Sequence, residues 1–316
     1  MAARTKNTRL RTRLTRRQRE TLREFERQVL ALRSPATAAT YRPVVRAFLA
    51  ELERPPSRIR REDVAAFLAL YRELAPASQA RALTALRSFC RFLAEAGQLA
   101  SDPTVGLSVR VPRQEKRVLA TGQVARLLRA SLDVPPDSWR RPIALRDRAL
   151  LELLYGLALR RSEACAARVG DLDLTRGELL VRRAKRGQPA RLPLPPSALE
   201  ALKRYLREAR PGMVRGAPGD PGDPGTLFLN HRGGRLTEGY ASKLVATLGR
   251  RAGVSVYPHA LRRACASHLL EAGVNLRVVQ LLLGHTELET TARYLGLGQG
   301  ELRRVVEKAL DITPRE

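Results

Sequence analysis

The sequence predicts a mainly α chain with a small β-hairpin or sheet, divided into two domains, on three observations. From Ala36 to about Ala100, and again beyond Val118, apolar residues step by three and four, the period of helices buried on one face. Between these stretches, DPTVGLSVRVPRQEK mixes Pro, Gly and charge without periodicity, as a linker does. Two short alternating runs, GELLVRRAK and ARLPLP, flank RGQP and read as the strands and turn of a hairpin.

Taken in order, residues 1–35 read as a basic N-terminal tail. Arg4, Lys6, Arg9, Arg11, Arg13, Arg16, Arg17 and Arg19 occur there before any acid, so this part is expected to be disordered when free and to lie along phosphates by counterion release. Residues 36–101 predict a helical domain. One helix carries Tyr41, Val44, Val45, Phe48, Leu49 and Leu52, a second Val64, Phe67, Leu68 and Tyr71, and a third, ending at Gly97, carries Leu83, Leu86, Phe89, Cys90 and Leu93. Its polar faces include Arg42, Arg46, Arg81, Arg87 and Arg91, which either grip DNA or are merely solvated. A flexible linker over 102–117 would let the two domains close around a duplex from opposite sides.

The second domain spans 118–316. A helix over 145–159 with Leu150, Leu153 and Leu154 on its apolar face runs into a small-residue turn before Arg160, with Glu163 three residues on. Lys185 sits at the hairpin tip, 211–225 is a Pro/Gly-rich loop, and LFLN with HRGGR forms another short extended segment and turn. The segment 258–294 gathers His259, Arg262, His285 and Tyr294. Pro258 suits a first helical turn, so His259 and Arg262, three apart, can leave one face. Asn275 opens a second helix that Gly284 stops, and Thr286 with Glu289 forms a capping box for a third, which carries Tyr294. Beyond it, GLGQG precedes Leu302, Val305, Val306, Ala309 and Leu310 at helical spacing, a helix that docks on a neighbouring protomer or folds back on its own domain.

Charge narrows the partner. The 316 residues carry a net charge of +27 with 52 Arg and six Lys. GC-rich coding would explain Arg over Lys, but not so large an excess over acids, so a polyanion, and first of all nucleic acid, is the expected partner. Cys90, Cys165 and Cys265 lack the spacing of a disulfide framework or a zinc site. No apolar run approaches a membrane span and no signal-peptide core is present, so the expected protein is soluble and cytoplasmic, associated with the nucleoid.

Arg160, Lys185, H-x-x-R at His259 and Arg262, L-G-H at His285, and Tyr294 nine residues later form one ordered set. In that set the chain resembles the tyrosine recombinase, or phage integrase, family, nearest in size and layout to its Xer-like members. The resemblance implies a SAM-like helical core-binding domain followed by an α+β catalytic domain. It implies that Arg160 and Arg262 clamp the scissile phosphate, that Tyr294 attacks phosphorus to leave a 3′-phosphotyrosyl bond, and that His259 assists as base. His285 would hydrogen-bond the phosphate, Lys185 would protonate the leaving 5′-oxygen, and Glu163 would orient Arg160 or a neighbouring basic residue. No metal, cofactor, ATP or small-molecule substrate is expected, and the working assembly would be a homo- or hetero-tetramer on two DNA sites. His231 and His268 lie off the face of His259 and Arg262 and read as structural.

The sequence departs from the family's usual wording at Ala158, where glycine is common, at Gln188 and Pro189 in the hairpin, and at Leu295 after the tyrosine. Two rival readings share these motifs: a type IB topoisomerase, and a noncatalytic DNA-binding protein of the same fold.

Overall fold

The structure, a computed structural model, describes residues 14–33, 35–71, 73–112, 118–182, 189–215 and 225–284. It divides into two compact units, Met1–Glu115 and Lys116–Glu316. The first contains α1 (Arg16–Leu32), α2 (Pro35–Glu51), α3 (Arg61–Ala69) and α4 (Pro76–Glu95). Their apolar faces meet in an aromatic core where Phe25 abuts Phe89 and Phe48 abuts Phe67, both edge to face with centroids 5.3 Å apart.

Helix α1 corrects the expectation of a tail through residue 35. Thr15 and Gln18 close a reciprocal capping box: the Gln18 N–H donates to Thr15 Oγ1 at 3.2 Å, and the Thr15 N–H to Gln18 Oε1 at 2.8 Å. Leu22, Phe25 and Val29 then enter the core, and Gln18 Nε2 donates to the Leu49 carbonyl of α2 at 2.7 Å. The dense positive charge around this triad hides it from a compositional reading. Residues 1–13 of the expected tail lie outside the described residues.

The expected linker is also shorter. Asp102 Oδ1 accepts from the Thr104 N–H at 2.8 Å and its hydroxyl at 2.6 Å, forming a turn. Arg61 Nη1 donates to the Val105 carbonyl at 2.8 Å, and the Arg87 guanidinium donates to that of Leu107. Residues up to Leu107 are thereby fastened to the first unit. Arg42 pairs with Glu26 at 3.4 Å and Arg81 donates to the Ala77 carbonyl at 3.2 Å, so several basic residues expected to face DNA also hold protein groups.

The second unit runs α5 (Thr121–Leu132), α6 (Arg141–Gly156), α7 (Arg161–Ala166), β1 (Leu172–Asp173), β2 (Glu178–Val181), β3 (Ala190–Pro193) and α8 (Pro196–Arg204). A π-helical turn, Tyr205–Ala209, continues α8 into α9 (Arg210–Arg215), so the first residues expected in the Pro/Gly loop are helical. Then come α10 (Glu238–Arg251), α11 (Pro258–Glu271) and α12 (Leu276–Leu283). The strands form an antiparallel sheet in the order β1-β2-β3, with Glu178 opposite Pro193 and Val181 opposite Ala190. Helix α6 is the axle. Leu150, Leu151, Leu153 and Leu154 are all fully buried, because α5, α8 and α11 cover it from several sides. Its buried Arg146 is held by Asp147 at 2.6 Å, the Leu229 carbonyl at 3.0 Å and the Tyr240 hydroxyl at 2.9 Å, which is how a charge survives at that depth. Among the described residues, no helix is long and apolar enough to cross a membrane.

The approach to α11 sets one tight contact. A Cβ on Gly249 would meet Val256 Cγ1 at 2.5 Å and the Val254 carbonyl oxygen at 2.6 Å. Gly249→Ala should therefore destabilise the chain by about 1–3 kcal/mol, whereas Gly239→Ala, in open space on the same helix, should be neutral or stabilising; denaturant titration compares them.

Candidate active site

Three segments distant in sequence meet at the Arg262 side chain. Helix α11 begins at Pro258, where a missing N–H costs nothing, and places Arg262 in its second turn with a side chain only 5% exposed. Its Nη1 donates to the Ala158 carbonyl and its Nη2 to the Leu283 carbonyl, the last residue of α12. The first bond reaches the turn before Arg160. The second fixes the helix end from which Gly284, left-handed at φ 61°, leads toward His285.

Glu163 joins the two arginines. It lies in the first turn of α7, where its Oε2 accepts the Arg160 backbone N–H at 2.8 Å and so caps the helix. Its Oε1 accepts from Arg160 Nη1 at 2.8 Å, and its Oε2 lies 3.9 Å from Arg262 Nη1. The carboxylate is buried with its side chain 1% exposed, whereas the Arg160 side chain is 44% exposed. One guanidinium is thus sealed inside and the other opens outward, across a shared acid. Two planar forks held this way suit the oxygens of a phosphodiester and its growing charge in a transition state. Arg161 turns the other way, donating to Glu238 at 2.9 Å and Ser242 at 2.5 Å, and moors α7 to α10.

Ala158 occupies the turn at φ 48°, the one non-glycine residue with positive φ among the described residues. Its carbonyl is the one that Arg262 holds, so a strained backbone is part of the site's frame. Burial pushes the thiols of Cys265 and Cys90 up to about 12 and that of Cys165 to about 11, which makes them packing groups rather than nucleophiles.

Of the residues singled out from sequence, Arg160, Glu163 and Arg262 come together. His259 stands exposed in the first turn of α11, one turn before Arg262. Lys185, His285 and Tyr294 lie outside the described residues. The strands that flank Lys185 are in place, and Arg182, at the root of that hairpin, is held by the buried carboxylate of Asp171 at 2.8 Å. His268 is buried: Nδ1 meets the Tyr155 hydroxyl at 2.9 Å and Nε2 the Leu119 carbonyl at 2.8 Å, a cross-brace from α11 to α6 and to the start of the unit. His231 is exposed in the Asn230–Gly234 turn. The two carbonyls that hold Arg262 were not foreseen, since a backbone acceptor leaves no mark on residue type; the one trace was Ala158 in a place where glycine is usual.

Residues 117–299 match the phage integrase family, and residues 22–97 match its N-terminal SAM-like domain. The chain is 36% identical over 288 residues to the tyrosine recombinase XerD of Mycobacterium tuberculosis, covering 85% of this chain and 89% of that protein. It is 40% identical over 240 residues to the tyrosine recombinase XerC of Roseiflexus castenholzii, covering 75% and 74%. A lambda integrase tetramer bound to a Holliday junction has a similar fold, with a TM-score of 0.63 at 21% identity over 87% of this chain and 76% of that one.

The strain at Ala158 has a measurable consequence. Ala158→Gly removes a left-handed Cβ at a cost of some unfolded-chain entropy, and should raise stability by about 0.5–1 kcal/mol in thermal or chemical denaturation.

Proposed function

Because this chain belongs to the phage integrase family and is a tyrosine-type site-specific DNA recombinase, we propose that Tyr294 is its nucleophile. The observation that carries the assignment of the site is the Glu163 bridge between Arg160 and Arg262, which brings the two guanidiniums together on one carboxylate. A scissile phosphate bound there presents its phosphorus to the Tyr294 phenol. The phenolic oxygen forms the new P–O bond as the P–O5′ bond breaks, leaving a 3′-phosphotyrosyl enzyme and a 5′-hydroxyl. A phenol with an ordinary pKa of about 10 sheds its proton as it attacks, and His259, exposed in the first turn of α11, receives it.

Lys185 gives its proton to the departing 5′-oxygen. Arginine does not release a proton at usable pH, whereas an ammonium among cations does so readily. His285 hydrogen-bonds the phosphate, and Glu163 keeps Arg160 and Arg262 in register. The covalent ester conserves the energy of the broken bond, so rejoining needs neither ATP nor metal. Four copies, alone or with a related recombinase, act on two core sites in the cytoplasm, the helix over 302–310 passing between neighbours. The similar fold of the lambda integrase tetramer on a Holliday junction supports this arrangement. The chain from 16 to 101 serves as the core-binding domain and that from 118 onward as the catalytic one.

Tyr294→Phe should bind duplex DNA with unchanged affinity yet trap no covalent complex on a nicked suicide substrate; a covalent adduct from that variant would remove Tyr294 as nucleophile. Lys185→Ala should lose cleavage by about 100-fold or more and recover most of it when the leaving 5′-oxygen is replaced by sulfur, which departs without a proton.

A further inference from the structure

The protein's only tryptophan is on its surface. Trp139 is 74% exposed in the loop between α5 and α6, and the Arg140 guanidinium lies over its ring at 5.0 Å from the centroid. An indole so exposed buries no core, and the loop does not need it: Arg141 Nη1 already closes the turn on the Leu132 and Val134 carbonyls at 3.3 and 3.5 Å.

Its surroundings are cationic rather than apolar. Helix α10 ends with exposed Arg250 and Arg251, and α5, which packs against it, shows exposed Arg126 at its middle and Arg129 in its last turn. Arg251 draws the loop to α10 through Asp133, at 3.1 Å to the carboxylate and 2.9 Å to the carbonyl. That contact neutralises one of the two acids in the loop and leaves Asp137 as the other. Among the described residues of α5, the loop and α6, Trp139 is the sole large hydrophobic residue that is exposed. A surface that docks a protein usually offers a contiguous apolar patch. A lone aromatic ring among arginines instead matches the nucleic-acid backbone, with sugars for the ring and phosphates for the guanidinium and the indole N–H.

We propose that the Trp139–Arg140 pair is a second DNA-backbone contact, separate from the Arg160–Arg262 centre. The two sites are attached to opposite ends of α6, whose 16 residues separate them by about 24 Å along its axis. The partner is duplex DNA outside the reacting phosphate, held without regard to sequence. It adds affinity and orientation and takes no part in the chemistry.

The lone tryptophan is its own reporter. A 30-bp mixed-sequence duplex is titrated into the intact protein at low salt with selective indole excitation, while a dye on the duplex reports binding by anisotropy. The proposal expects the indole emission to be quenched in step with anisotropy and to be shielded from acrylamide. Trp139→Phe should abolish the signal without altering thermal stability, and Arg140→Ala should weaken duplex binding roughly three- to tenfold and reduce the salt slope by about one. Unchanged emission while anisotropy reports a bound duplex would overturn the contact and leave the recombinase assignment intact. An emission change that follows protein concentration without DNA would overturn it in favour of self-contact.

Discussion

The catalytic unit depends on how one buried positive charge is kept. Arg262 is nearly closed off from water, where an unpaired guanidinium would be costly by several kcal/mol. Glu163 supplies the opposite charge from 3.9 Å, and the carbonyls of Ala158 and Leu283 take its N–H groups. The partners come from two segments distant from α11 in sequence, 158–163 and the end of α12, so satisfying the charge also assembles the site. Glu163 cannot serve Arg262 unless α7 is formed. Leu283 reaches it only if α12 ends where Gly284 turns left-handed. The same bonds that make the arginine tolerable inside the fold fix the entrance arginine, Arg160, at the other side of the shared carboxylate.

Much of this was legible in the residues. Periodicity located most of the helices, the alternating runs located β2 and β3, and Asn275 and Gly284 marked the two ends of α12 as capping chemistry requires. The motif set named both arginines and Glu163. Two features were hidden, each for a physical reason. Helix α1 buries only three apolar residues, Leu22, Phe25 and Val29, with the polar Gln18 and Thr21, beneath a charged surface, so its composition resembles a tail while its spacing is helical. The segment from Asp102 to Leu107 has no periodicity of its own, because arginines of α3 and α4 hold it through backbone carbonyls. Tertiary bonds to main-chain oxygen leave no sequence pattern, and the Ala158 and Leu283 contacts were missed for the same cause.

The histidines and cysteines divide along the same line. His268 spends both ring nitrogens on Tyr155 and Leu119, and the thiols of Cys90, Cys165 and Cys265 are pushed up by burial. These groups are part of the scaffold. His259 shares α11 with His268 but is exposed in its first turn, so one helix carries a structural histidine at one end and a candidate proton acceptor at the other. Position relative to the helix end, rather than residue type, separates the two.

The charge of +27 can be read again in this light. Many arginines hold the fold together, and that would seem to subtract them from any field acting on DNA. It does not, because of what they bind. Arg61, Arg87 and Arg235 donate to main-chain carbonyls, which accept a hydrogen bond without cancelling a unit charge. Only those paired with acids, such as Arg146 with Asp147 and Arg182 with Asp171, are locally neutralised. An arginine on a carbonyl therefore does two things at once. It closes a turn or a loop, and it leaves its positive potential in place for the phosphates outside.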